Sequence, residues 1–189
     1  MVLNRKIAYI HLNDGLVEIT PISLDLRRKL LGGRGINMYL LSKSYSPGLD
    51  PFSPENPLIF GTGLLTGTLG FGSRMNITAK SPESGHLGDS NMGGDFGAEL
   101  VKAGLSHLVI TGKSQKPVYL LIKNGEVEIR GARKLPGLDT VETWNTIRSE
   151  RCPFDALSVL DENAYHCDLC GRNPQCVEVC TPGAIQVIK

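Results

Sequence analysis

The chain has 189 residues, 41 % of them apolar and 21 % charged, which suits one ordinary domain or a domain with a small appendage and excludes both a large multi-domain enzyme and a disordered chain. Lys and Arg number 20 against 19 Asp and Glu, a net charge of +1, so no electrostatic footprint calls for nucleic acid or an anionic membrane as partner. The N-terminal MVLNRKIAYIHLNDG carries no signal-peptide core, and no apolar run reaches the length of a membrane span; the expectation is a soluble protein of a reducing cytoplasm.

Taken in order, Lys6 to Leu12 and Leu16 to Thr20 alternate apolar and polar residues around Asn13-Asp14-Gly15, a hairpin pattern. Ser23 is placed to cap a helix over Leu24 to Leu31 that Gly32-Gly33 ends, and a second helix is expected from Ile36 to Ser44. Pro47, Pro51, Pro54 and Pro57 mark a connecting loop before a short buried strand, Leu58 to Phe60. The stretch GTGLLTGTLGFGSRMNITAKSP follows, then a helix from Asp95 to Ala103 stopped by Gly104, and a strand from Leu108 to Thr111. PVYLLIKNGEVEIR reads as a hairpin turning at Asn124-Gly125, and a last helix, Val141 to Ser149, has Asp139 as N-cap with Glu142 in the capping-box position. Trp144 on that helix is expected to pack in a core. Hairpins with helices between them predict an α+β fold, a sheet-rich platform.

Two stretches carry candidate chemistry. The glycine-rich run lacks the GxGxxG and Walker spacings. It offers instead flexible backbone, Arg74 as an anion clamp, and Asn91-Met92-Gly93-Gly94 before a helix start, features that suit a phosphate; turn glycines beside a surface arginine are the plain alternative. The second stretch holds all five cysteines: Cys152, Cys167, Cys170, Cys176 and Cys180. An odd number at short spacing points to metal ligation and not to a disulfide framework. The C-x2-C-x5-C-x3-C spacing is looser than the bacterial ferredoxin run, and Cys152 precedes a proline as the remote ligand of such clusters does. A structural zinc held by Cys167, Cys170, Cys176 and Cys180 is the competing reading. His11, His86 and His107 are scattered, and His166 is expected to be a solvent-facing neighbour of Cys167.

The motifs GGRGINMYLLSK, DPFSPENPLIFGTGLLTGTLGFGSRMNITAKSP, DSNMGGDFGAELVKAG and KPVYLLIKNGEVEIR together resemble the N-terminal domain of the tungsten- or molybdenum-dependent aldehyde:ferredoxin oxidoreductase family. The resemblance implies a sheet-rich base under a tungsten or molybdenum bis-pterin cofactor. Arg74 would contact the pterin phosphates, Asn91 would lie at the magnesium bridging them, and Gly93 and Gly94 would let backbone approach the cofactor. The segment CDLCGRNPQCVEVCTPGAI is similar to polyferredoxin-type electron-transfer subunits. That likeness implies a [4Fe–4S] cluster on Cys152, Cys167, Cys170 and Cys176, with Cys180 left over.

The expected organisation is therefore an N-terminal domain over 1–150 and a small iron–sulfur appendage over 151–189. The family's helical domains, which hold its acid/base residues, have no counterpart in this text, so no catalytic residue is nominated. The leading expectation is an oxidoreductase component contributing part of a cofactor platform and an electron relay, aldehyde oxidation being the chemistry the resemblance implies. A larger oxidoreductase subunit or a ferredoxin-type carrier is the expected partner. The alternatives are a non-catalytic electron-transfer or docking subunit and a truncated gene product.

Overall fold

The structure, a computed structural model, describes residues 5–68, 72–150, 158–160 and 163–165, and the chain divides into two units, Met1–Ala132 and Arg133–Lys189. In the first unit β1 (Lys6–His11) and β2 (Leu16–Pro21) pair as the expected antiparallel hairpin, and Asp14 Oδ1 accepts the Leu16 N–H at 3.1 Å inside the turn. Ser23 Oγ accepts the Leu26 N–H at 3.2 Å and so starts α1 (Leu24–Leu30). Leu31, and not a glycine, breaks that helix: its φ of 61° and ψ of −61° form a tight turn closed by Gly32 N–H to Leu30 C=O at 2.7 Å. α2 (Gly33–Ser44) begins three residues before the expected start.

β3 (Leu58–Thr62) is two residues longer than its apolar run suggests. No strand is expected between 63 and 94, yet β4 (Met75–Lys80) and β5 (Leu87–Met92) form an antiparallel ladder there. The reason is positional. β4 alternates Met75, Ile77 and Ala79 with Asn76, Thr78 and Lys80 but stands inside a glycine-rich run that reads as loop, and β5 is a mostly exposed edge of sequence LGDSNM, whose residues alone favour turns. α3 (Phe96–Lys102), β6 (His107–Thr111) and the hairpin of β7 (Val118–Lys123) with β8 (Glu126–Gly131) follow. Asn124 and Gly125 both have positive φ, 53° and 81°, as a type I′ turn requires.

The main sheet runs β2-β1-β6-β3-β4-β5, antiparallel throughout except where β1 pairs parallel with β6. The α+β expectation is borne out. Helices α1 and α2 bury Ile7, Ile36, Leu40, Ile59 and Val109 on one face. On the opposite face Ala8, Ile10, Met75, Leu100 and Leu108 form a second cluster, against which Leu120 and Ile122 of β7 pack. Ile36 and Ile59 are both fully buried, so truncating either to Ala costs about 2–5 kcal/mol.

The second unit contains α4 (Thr140–Glu150) and a short antiparallel pair, β9 (Ser158–Leu160) with β10 (Asn163–Tyr165). The capping box forms: the Glu142 N–H donates to Asp139 Oδ1 at 2.8 Å and the Asp139 N–H to Glu142 Oε2 at 3.1 Å. The expected core role of Trp144 is corrected, since the indole is 55 % exposed. Val141, one turn earlier, is 63 % exposed too, so the helix builds no apolar stripe around the ring. No helix among the described residues is long and apolar enough to cross a membrane.

Candidate functional site

Arg74 immediately precedes β4 and Asn91 lies on β5, where the register sets Asn76 opposite Asn91 and Met75 opposite Met92. This brings the two residues to the same end of the ladder, and Arg74 Nη1 donates to Asn91 Oδ1 at 2.8 Å. The backbone of Arg74 is fixed from behind: Thr66 Oγ1 donates to the Arg74 carbonyl at 2.8 Å, and the buried Arg5 Nη2 donates to the Thr66 carbonyl at 3.1 Å. Thr66 thus ties the backbone from which Arg74 presents its guanidinium to solvent.

Gly93 and Gly94 continue from β5 past this pair. A side chain at Gly93 would meet nothing closer than Arg74 Nε, 3.9 Å away, and Gly94, at φ 79°, faces open space. The four residues nominated for cofactor contact, Arg74, Asn91, Gly93 and Gly94, therefore lie at one exposed corner. The helix start beyond them adds little, because α3 has only seven residues and opens on the carboxylate of Asp95, which makes no capping hydrogen bond.

Three further residues extend the polar row, and periodicity gave no reason to nominate them. Arg34, in the first turn of α2, pairs with Asp89 at 2.5 Å, and Asn76 Nδ2 donates to Asp89 Oδ1 at 3.2 Å. Their signal is the two-residue spacing of Asp89 and Asn91, which puts both on one side of β5. Deeper in, Asn37 is fully buried and its Nδ2 donates to Asn76 C=O and Thr78 Oγ1, both at 3.1 Å. This amide stitches α2 to β4. His107 is fully buried beside it, and burial, followed by the positive charge of Arg27, lowers its pKa to about 3. A groove of about 400 Å³ lined by Met38, Leu41, Tyr45, Lys80 and Leu87 sits at the other end of the ladder, where Lys80 pairs with Leu87.

The described residues contain no group of three or more His, Cys, Asp or Glu side chains that could hold a metal ion. Cys152, Cys167, Cys170, Cys176, Cys180 and His166 lie outside the described residues.

Residues 7–160 match the sequence profile of the aldehyde ferredoxin oxidoreductase N-terminal domain. The chain belongs to that family. The tungsten-containing aldehyde ferredoxin oxidoreductase of Pyrococcus furiosus is 44 % identical over 142 residues, which cover 75 % of this chain and 24 % of the relative. A solved structure, the active site complex BamBC of benzoyl coenzyme A reductase with 1,5-dienoyl-CoA, superposes with a TM-score of 0.76 at 36 % identity, over 79 % of this chain and 23 % of that one. A shorter likeness, 42 % identity over 36 residues, is to the polyferredoxin protein MvhB of Methanothermobacter thermautotrophicus, covering 19 % of this chain and 9 % of the relative. The chain spans about a quarter of the length of the aldehyde ferredoxin oxidoreductases it matches.

The corner can be tested against the phosphate end of a pterin cofactor. An exposed guanidinium, the Asn91 amide and an uncrowded Gly93-Gly94 backbone are a donor set that suits an oxyanion. A magnesium ion fits less simply. Asn91 Oδ1, the side chain's one oxygen, already accepts from Arg74, so ligating a cation through it means giving up that hydrogen bond.

Proposed function

We propose that the chain is an accessory module of an aldehyde oxidoreductase-type assembly: it docks to a larger oxidoreductase partner, holds the phosphate end of a tungsten- or molybdenum-pterin cofactor, and does not carry out the reaction by itself. The observation behind this reading is the Arg74–Asn91 pair beside an open glycine corner. The chemistry available there is anion binding, and the described residues offer no converging metal ligands. When bound, a metal–pterin group would supply the redox chemistry. This chain's own part is then to grip a phosphate with Arg74, donate to it from the Asn91 amide and admit it against the Gly93-Gly94 backbone.

The five cysteines complete the proposal as a [4Fe–4S] relay in which Cys152, Cys167, Cys170 and Cys176 are ligands and Cys180 is spare. Their spacing supports it, as does the 36-residue likeness to a polyferredoxin. Such a relay would pass electrons between the partner and a ferredoxin-type carrier. A second reading, a component that itself oxidises aldehydes to carboxylic acids, is favoured by the activity named for the Pyrococcus relatives. Aldehyde-dependent viologen reduction separates the two. The accessory reading expects none from the anaerobically purified chain alone, and turnover by that chain would replace it with the second reading.

A further inference from the structure

At the end of the β4–β5 ladder away from Arg74, the groove of about 400 Å³ lies between the last turns of α2 and the Lys80–Leu87 pair. Met38, Leu41 and Tyr45 recur at helical spacing as one apolar wall, and Leu87 on the edge strand joins them. The volume falls in the range of small-molecule pockets, roughly 300–1,000 Å³. No residue of the lining is acidic, and Ser42 Oγ is spent on the Tyr39 carbonyl at 2.8 Å. Lys80 stands out among them. It is 7 % exposed, yet it enters none of the ion pairs among the described residues. Asn56 clamps its backbone, accepting the Lys80 N–H at 3.1 Å and donating to the Lys80 carbonyl at 3.0 Å. Its ammonium donates to the Leu49 carbonyl at 2.5 Å and lies 5.3 Å from the centroid of the Tyr45 ring, itself a wall of the groove.

A carbonyl and an aromatic face ease the burial of an ammonium but bring no negative charge. An ammonium has three N–H donors, and the Leu49 carbonyl takes one of them. A ligand carrying a carboxylate would supply the missing charge, and the apolar wall would cover a hydrocarbon body. We propose that the groove binds a small apolar carboxylate, an aliphatic or aromatic acid that pairs with Lys80 and lays its hydrocarbon part on Met38, Leu41, Tyr45 and Leu87. His86, also on the lining, adds a ring N–H and no negative charge. An inorganic anion would match the cation but leave the apolar wall wet. Because Asn56 and Leu49 already hold Lys80, the cation needs no reordering when a ligand arrives.

This inference does not rest on the accessory reading, because no residue of the Arg74 corner takes part in it. Titrated by calorimetry into the full, anaerobically purified chain, octanoate should bind at least about tenfold more tightly than octanol, the equivalent of one charge-assisted hydrogen bond. Lys80→Met should remove that preference, leaving octanoate no tighter than octanol, whereas Arg74→Ala should leave it intact. If the Met variant does not fold, Leu87→Glu serves. Leu87 is 46 % exposed, so the substitution spares the core, and the added carboxylate should weaken octanoate by about tenfold through like-charge repulsion. Failure of the wild-type chain to bind octanoate overturns the proposal and leaves the groove as a packing surface for a protein partner. Equal affinity for octanoate and octanol, an octanoate affinity unchanged by the substitutions at Lys80 and Leu87, or its loss in Arg74→Ala overturns it too.

Discussion

Arg74 and Asn91 meet across one end of the β4–β5 ladder, guanidinium to amide at 2.8 Å, although 17 positions separate them in the chain. Both are exposed, so the bond contributes little to stability and its worth lies in what the pair presents. Arg74→Ala should change unfolding stability by less than about 0.5 kcal/mol. It should weaken pyrophosphate, a stand-in for the phosphate end of the cofactor, by roughly tenfold, the equivalent of one charge-assisted hydrogen bond. Urea unfolding and calorimetric titration on the same samples measure the two quantities. Equal pyrophosphate affinity in wild type and variant would show that the corner is not an anion clamp.

Gly61 on β3 is the tightest point under α2. A Cβ there would lie 2.0 Å from Asn37 Oδ1 and 2.7 Å from the His107 ring, two buried groups with little room to give. Gly61→Ala should therefore destabilise by about 1–3 kcal/mol through overpacking, and Asn37→Ala in the same chain should recover part of the loss. The double-mutant cycle measures the recovery. Simple additivity of the two substitutions would mean that the contact does not limit packing.

His107 makes the first unit acid-sensitive. Burial holds its folded pKa at about 3, below the ordinary histidine value of 6.5, so the unfolded chain takes up a proton that the folded chain refuses. The stabilisation is complete above pH 6.5 and is lost as pH falls from there towards 3, at most about 1.4 kcal/mol per pH unit from this one group. His107→Gln should flatten the slope of unfolding free energy between pH 6 and pH 4. An unchanged slope in the variant would assign acid sensitivity to other groups.

Leu31 holds a positive φ that a β-carbon disfavours, and its side chain is 59 % exposed, so little packing is lost by removing it. Leu31→Gly should raise stability by up to about 1 kcal/mol, the relief of backbone strain being partly offset by the entropy glycine adds to the unfolded chain. Loss of stability would mean that the leucine side chain holds the junction of α1 and α2.

The two hairpins and the four helices were legible because local chemistry specifies them: Ser23 caps α1, Asn124-Gly125 forces a type I′ turn, and Asp139 with Glu142 closes a capping box. The β4–β5 ladder was not, because Asp89, Ser90 and Asn91 become a strand only by pairing with β4. The same tertiary pairing is what makes a site of Arg74 and Asn91. Their types suggested anion chemistry; their meeting depends on register. The partnership of Arg34 with Asp89 and the burial of Arg27 arise from packing between elements distant in sequence, and no local pattern encodes them.

Metal and sulfide analysis of the anaerobically purified full chain, read beside its activity with aldehyde and viologen, tests the central claim most directly. The accessory account predicts about four iron and four sulfide per chain, as for one [4Fe–4S] cluster, with no stoichiometric tungsten or molybdenum and no aldehyde oxidation until the larger oxidoreductase partner is supplied. Stoichiometric tungsten or molybdenum together with aldehyde oxidation by the chain alone would contradict it.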